Sequence, residues 1–141
     1  MTSHREQIMS AIASTLVGTT GVGTRIWRSR TEAFARNETP CLVIEPGTDR
    51  ASMPAVSMPR IDWTLSVTIA VGTRGTIPDQ LADPVISSIH SKLMADRSLG
   101  GLVLDIYPES VDPQLDKADA TSCWTVTTWT VRYRTGVTSL A

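Results

Sequence analysis

The chain has 141 residues, of which 41% are hydrophobic and 19% charged, and its formal net charge is −1. That length suits one domain over residues 1–141 with a genuine buried core, and that balance excludes a disordered chain. It also excludes a helical membrane protein, since no apolar run nears the ~20 residues a transmembrane helix requires, and an isoelectric point of about 6.1 excludes the broad positive field of a non-specific nucleic-acid binder.

The N-terminal stretch Met1–Gln7 carries Glu6 and has no apolar signal core, so the expected compartment is the cytoplasm. Ser3 and Glu6 have capping-box spacing, and Ile8, Ala11, Ile12 and Leu16 recur at helical intervals. A first amphipathic helix is expected there, with His4 solvated in its first turn. The glycines at 18, 21 and 23 form its exit. Residues 24–30 read as a strand with Ile26 on one side and Arg25 and Trp27 on the other. A short apolar strand follows at 41–45, opened by Pro40 and closed by Pro46-Gly47.

Residues 47–60 read as a long mobile loop, because prolines 46, 54 and 59 exclude a helix and a central strand. Met53, Val56 and Met58 give this loop adaptable apolar side chains. It is either a plain linker or a segment that orders against a neighbouring subunit. Residues 61–71 alternate cleanly, Ile61, Trp63, Leu65, Val67, Ile69 and Val71 against Asp62, Thr64, Ser66 and Thr68, which predicts a strand with one buried face.

A second amphipathic helix is expected from Asp79 to Asp96, with Leu81, Val85, Ile86, Ile89 and Leu93 as its apolar stripe. Pro84 fits only a first turn, so its regular part could begin as late as Asp83. A fourth strand is expected at 102–107, an acidic, proline-punctuated loop at 108–120, and a fifth strand at 121–134, where Cys123, Thr125, Thr127, Trp129, Val131 and Tyr133 share a face. Residues 135–141 read as a frayed tail. The fold class is therefore two-layer α+β in the order α-β-β-β-α-β-β. About five strands form a mixed or antiparallel sheet with two helices on one face.

Chemistry-bearing constellations are sparse. The histidines are His4 and His90, with no Cys-x-x-Cys and no His-x-x-x-His, so no metal site is expected. The glycines at 18–23 run from helix to strand, the reverse of a phosphate loop, and no Gly-Lys-Ser/Thr follows them. There is no Gly-x-Ser-x-Gly elbow. Asp105, Glu109, Asp112, Asp116 and Asp119 lack calcium-loop spacing and read as a solvated run. Cys41 and Cys123 fall in strand-like segments and read as reduced, buried thiols. No catalytic residue, cofactor or metal is expected, and the chain does not read as an enzyme.

The candidates for an interface are Arg25, Trp27, Arg28, Met53 and Met58. Arg25, Arg28 and Arg30 around Trp27 make the most basic local stretch. Arg and Trp suit the centre of a protein contact. The same residues also suit an edge strand protected by charge or, less specifically, a nucleic-acid strand.

The element order and three short pieces resemble the tail-terminator family of long-tailed bacteriophages and prophages, the minor tail protein U-like proteins of lambda-like phages. The pieces are the helix Arg5–Leu16 running through a Gly-rich turn into Arg25-Ile26-Trp27, the strand Thr39-Pro40-Cys41-Leu42-Val43-Ile44, and the helix close Leu93-Met94-Ala95-Asp96 followed by Leu99-Gly100-Gly101 and an apolar strand. The resemblance implies a non-catalytic subunit of a ring, commonly six-membered. Such a ring caps the tail tube, ends its polymerisation and offers a surface for head joining. The implied partners are further copies of the chain, joined already in solution or monomeric before assembly, with the tail tube protein and a head-completion protein; no membrane and no specific nucleic-acid binding is expected. The implied location is the cytoplasm during assembly and then the virion tail. A tube-lumen protein is expected to show DNA an acidic surface, for which the acidic run 109–119 offers residues.

Two other readings stand beside this one, with nucleic-acid binding as a weaker third. One is an interaction subunit of another virion-like apparatus. The other is a small-molecule-binding domain or enzyme whose site is assembled from dispersed carboxylates.

Overall fold

The computed structural model describes residues 2–29, 36–53, 59–115 and 121–141. Met58 and the acidic residues Asp116 and Asp119 lie outside the described residues, as does Arg30. The elements run α1 (His4–Thr15), β1 (Ile26–Arg28), a short 3-10 turn (Arg36–Glu38), β2 (Cys41–Ser52), β3 (Arg60–Arg74), α2 (Pro78–Met94), β4 (Asp105–Leu115) and β5 (Ser122–Gly136). They form one five-stranded sheet in the order β1-β2-β3-β5-β4. Every neighbouring pair is antiparallel except β1 with β2. The class is α+β with a mixed sheet, as the sequence predicts.

Both helices pack on one sheet face. Ser3 caps α1 by accepting the Glu6 N–H at 3.2 Å, and Ile8, Met9, Ile12 and Leu16 are sealed from solvent. Ala82, Val85, Ile89 and Leu93 of α2 join them over Leu42 and Ile44 of β2, Leu65 to Val71 of β3, and Trp129, Val131 and Tyr133 of β5. Each such aliphatic side chain stabilises the fold by roughly 1.5–3 kcal/mol through burial.

Three segments differ from the sequence expectation, and proline explains each. The segment 47–52 is strand, not loop: β2 continues to Ser52 and pairs with Asp62. Pro46 is accommodated because β1 ends at the Arg28–Ile44 pair, so beyond Ile44 β2 is itself a sheet edge. A bulge between Pro46 and Asp49 absorbs the misfit. The fourth strand starts at Asp105 and takes in much of the expected acidic loop, up to Leu115. Pro108 and Pro113 are tolerated because β4 is the other edge of the sheet. Pro84 lies inside α2 rather than in its first turn; the helix opens on Pro78 with no side-chain cap. The loss of the bond that residue 84 would donate to Gln80 is offset by the buried stripe Ala82, Val85, Ile89 and Leu93.

The C-terminal tail is less frayed than expected. β5 pairs through Gly136 with Arg60, and the Leu140 carbonyl accepts the His4 N–H at 2.6 Å. His4 is not simply solvated: its Nε2–H donates to the Leu102 carbonyl at 2.5 Å and its ring stacks on Tyr133.

Candidate functional site

Four of the five candidate interface residues lie among the described residues, and the structure sets Met53 apart from the other three. Arg25 precedes β1 and donates to the carbonyls of Pro40 at 2.9 Å and Gly21 at 2.7 Å, so it staples the approach to β1. Trp27 sits in β1 opposite Val43, half-buried on the sheet face away from the helices. Arg28 points the other way and grips both oxygens of Glu6 on α1, at 2.6 and 3.0 Å. That pair holds the Glu6 carboxyl below its usual range and the Arg28 guanidinium above its own. Met53 is exposed just past the end of β2. Arg25, Trp27 and Arg28 are thus together at one sheet edge, with the arginine side chains already bonded within the chain, and Met53 lies apart.

The other edge carries what sequence reading missed. Along β4 every residue from Tyr107 to Leu115 is exposed. Val111 and Leu115, at 55% and 58% exposure, are large apolar side chains facing water. They share the helix side of the sheet with Ile106 by strand alternation, but no helix of the described residues covers them. Glu109 and Asp112 add negative charge to the same strand. The prolines that made this stretch look like a loop hid its strand alternation.

Near the β1 edge lies an apolar cleft of about 330 Å³ between the end of α1 and the strand, lined by Ala13, Val17, Gly23 and Ile26. Val17 is 65% exposed at its rim. The sheet face away from the helices holds a shallow trough of about 630 Å³, lined by Arg50, Thr64, Ser66, Tyr107, Glu109 and Thr130. The bulges in β2 and β4 flank it and bend their strands. Its one carboxylate, Glu109, accepts the Thr130 hydroxyl at 3.1 Å. Such a lining can hydrogen-bond a polar surface, but it brings no pair of carboxylates together for acid–base chemistry.

A polar cluster fixes the start of α1 to the sheet. The Tyr133 hydroxyl donates to Asp49 Oδ2, to which Arg5 also approaches at 3.4 Å. The Asp49 side chain is only 5% exposed, and its Oδ1 has no partner. Burial, and then the Asp49 carboxylate, push the Tyr133 phenol well above its ordinary value. Trp63 stacks at 6.1 Å on Tyr133 and donates its indole N–H to Thr135 at 2.9 Å.

The cysteines occupy opposite sheet faces, because Cys41 lies level with Gly72 and Trp124 whereas Cys123 lies level with Thr73. Both are buried thiols. His90 is exposed, with its ring 6.0 Å from Trp129. Among the described residues no His, Cys, Asp or Glu cluster of metal-ligating size exists, and no helix is long and apolar enough to cross a membrane.

No known family model matches the chain, and no curated protein matches it either.

Proposed function

We propose that the protein is a structural tail-assembly subunit of the tail-terminator kind. Copies close into a ring, most simply a hexamer, that caps a tail tube, stops its polymerisation and presents a head-joining surface. No catalysis and no cofactor enter this reading. Its partners are other copies of the chain, the tail tube protein and a head-completion protein. Its place is the cytoplasm during assembly and the virion tail afterwards.

The observation that carries it is the sheet with two edges of different character. One edge is short and flanked by arginines. The other is long and acidic, with Val111 and Leu115 in water. Exposed apolar side chains on an edge strand are an association hazard unless a partner covers them. Two unlike edges favour head-to-tail contacts, which close into a ring when the rotation per copy allows. The element order and the sequence pieces of the resemblance point to the same family of rings.

Native mass spectrometry over a concentration series tests the ring. The expected result is one discrete closed oligomer without a ladder of intermediates. An open-ended ladder, or an isologous dimer as the final species, would overturn closure.

The trough supports a second reading, a domain that binds a polar small molecule. It rests on the hydroxyl-rich lining around Arg50 and Tyr107. A titration in which a polar ligand binds and Arg50→Ala abolishes binding, with no oligomer at any concentration, would favour it.

A further inference from the structure

The register of the whole sheet can be followed from edge to edge. Ile26 lies level with Leu42, Val71, Thr125 and Pro113. Trp27 lies level with Val43, Ala70, Val126 and Asp112, and Arg28 with Ile44, Ile69, Thr127 and Val111. The three residues of β1 and residues 111–113 of β4 therefore sit at the same height on opposite edges. Strand directions follow from the pairings: β1 and β2 run one way, β3 the other, β5 back again, and β4 opposite to β1. A second copy placed edge to edge, without any shift along the strands, would meet β1 with an antiparallel β4.

Side-chain chemistry agrees with that placement. Leu42 donates to the Arg25 carbonyl and Ser29 donates to that of Ile44. The odd-numbered residues of this segment thus face β2, and the backbone groups of Arg28 and the Ile26 carbonyl point outward. Asp112 of the incoming copy would stand across from Trp27 on the face away from the helices. Arg25 would be its diagonal neighbour on that face, within reach of a long side chain. On the helix side, Val111, Pro113 and Leu115 would come down beside the half-buried Ile26 and Ala13 and the exposed Val17 that line the cleft. Pairing β4 with β4 of a second copy would instead bring Glu109 and Asp112 towards their own equivalents, a like-charge arrangement that is unfavourable.

We propose that successive copies join by sheet continuation, with residues 111–113 of β4 antiparallel to residues 26–28 of β1 on the next copy, and with Val111 and Leu115 seated against the Ala13–Val17–Ile26 cleft. This rests on the ring reading above and names the surfaces that make the ring. The right-handed twist of the sheet turns each copy relative to the last.

The test is disulfide trapping with two pairs of substitutions in the full chain, Trp27→Cys with Asp112→Cys, and Thr24→Cys with Leu115→Cys. The native thiols are sealed from solvent, so they give little background. Circular dichroism checks that each variant folds, and the second pair leaves Trp27 intact. Mixing the two single variants of a pair under mild oxidation should link unlike chains, and the double variant should give a covalent closed oligomer on a denaturing gel. Single variants alone should stay unlinked. Self-linking of Asp112→Cys alone would mean β4–β4 pairing and overturn the proposal. Closed oligomers in native mass spectrometry with neither pair linking would overturn this interface and leave the ring standing. Absence of both oligomer and link would overturn the two together.

Discussion

Tyr133 of β5 and Asp49 of β2, 84 residues apart, are joined hydroxyl to carboxylate across β3 where β2 resumes after its bulge, and Arg5 and His4 at the start of α1 dock on this pair. Asp49 is a buried acid with one oxygen already unpartnered, so the Tyr133 hydroxyl is its principal donor. Tyr133→Phe should destabilise the fold by about 1–3 kcal/mol, the cost of leaving a buried polar group unsatisfied. Urea unfolding at neutral pH measures it, and no change would mean that water serves Asp49 equally well.

The same phenol predicts an alkaline limit. Burial first and Asp49 second raise it in the folded state above the ordinary tyrosine value of 10.0. Below that value both states hold the proton and its contribution is complete. Above it the unfolded chain ionises while the folded chain resists, so stability falls as pH rises. Melting temperatures of the native chain should drop from about pH 10 upward. The Tyr133→Phe variant should show a shallower drop.

An acid limit follows from four carboxylates held below their usual range. Glu6 is lowered by Arg28, Asp62 by Arg134, Asp105 by Arg97, and Asp96 by the Ser98 hydroxyl and then the Gly100 N–H. A lowered folded value stabilises above the unfolded value and is lost as pH falls through the folded one. Melting temperature should therefore be flat on this account from neutrality to about pH 5 and fall below about pH 4. Because these groups are exposed, added salt should weaken the effect. A curve unchanged down to pH 2 would contradict it.

Trp63 faces the helix layer, as the alternation of residues 61–71 predicts, but it is half-buried and lies at the margin of the core. Trp63→Ala should cost about 2–3 kcal/mol, less than the 3–5 kcal/mol expected of a large aromatic truncated in a full core. A loss under about 1 kcal/mol would mean that the stack on Tyr133 and the bond to Thr135 contribute little.

The turn after α2 requires the left-handed region at Gly100 and Gly101, with φ of +72° and +88°. The Gly100 N–H donates to Asp96 Oδ2 at 2.8 Å. Nothing obstructs a Cβ at Gly101, so Gly101→Ala isolates the backbone cost and should destabilise by about 1–2 kcal/mol.

Strict alternation made β3 and β5 legible, and helical spacing with the Ser3 cap made α1 legible, because in each case one buried face imposes the period. The outer halves of β2 and β4 were hidden. Pro46, Pro108 and Pro113 read as breakers, yet an edge position removes the need for their missing N–H, and edge position depends on strand order that the sequence does not carry. The basic cluster at Arg25, Trp27 and Arg28 was visible from composition. The bonds that occupy Arg25 and Arg28 were not, since Gly21, Pro40 and Glu6 become their neighbours only through the fold. Val111 and Leu115 gave no signal, because a lone aliphatic in an acidic stretch looks like any loop residue.

The proposed role of this subunit, ending tail-tube growth, is read in tail length. On that proposal, electron microscopy of particles made by a tail-producing source deleted for this gene should show overlong, headless tubes, with normal length restored by the native chain. Tails of normal length joined to heads in the deletion strain would contradict the account.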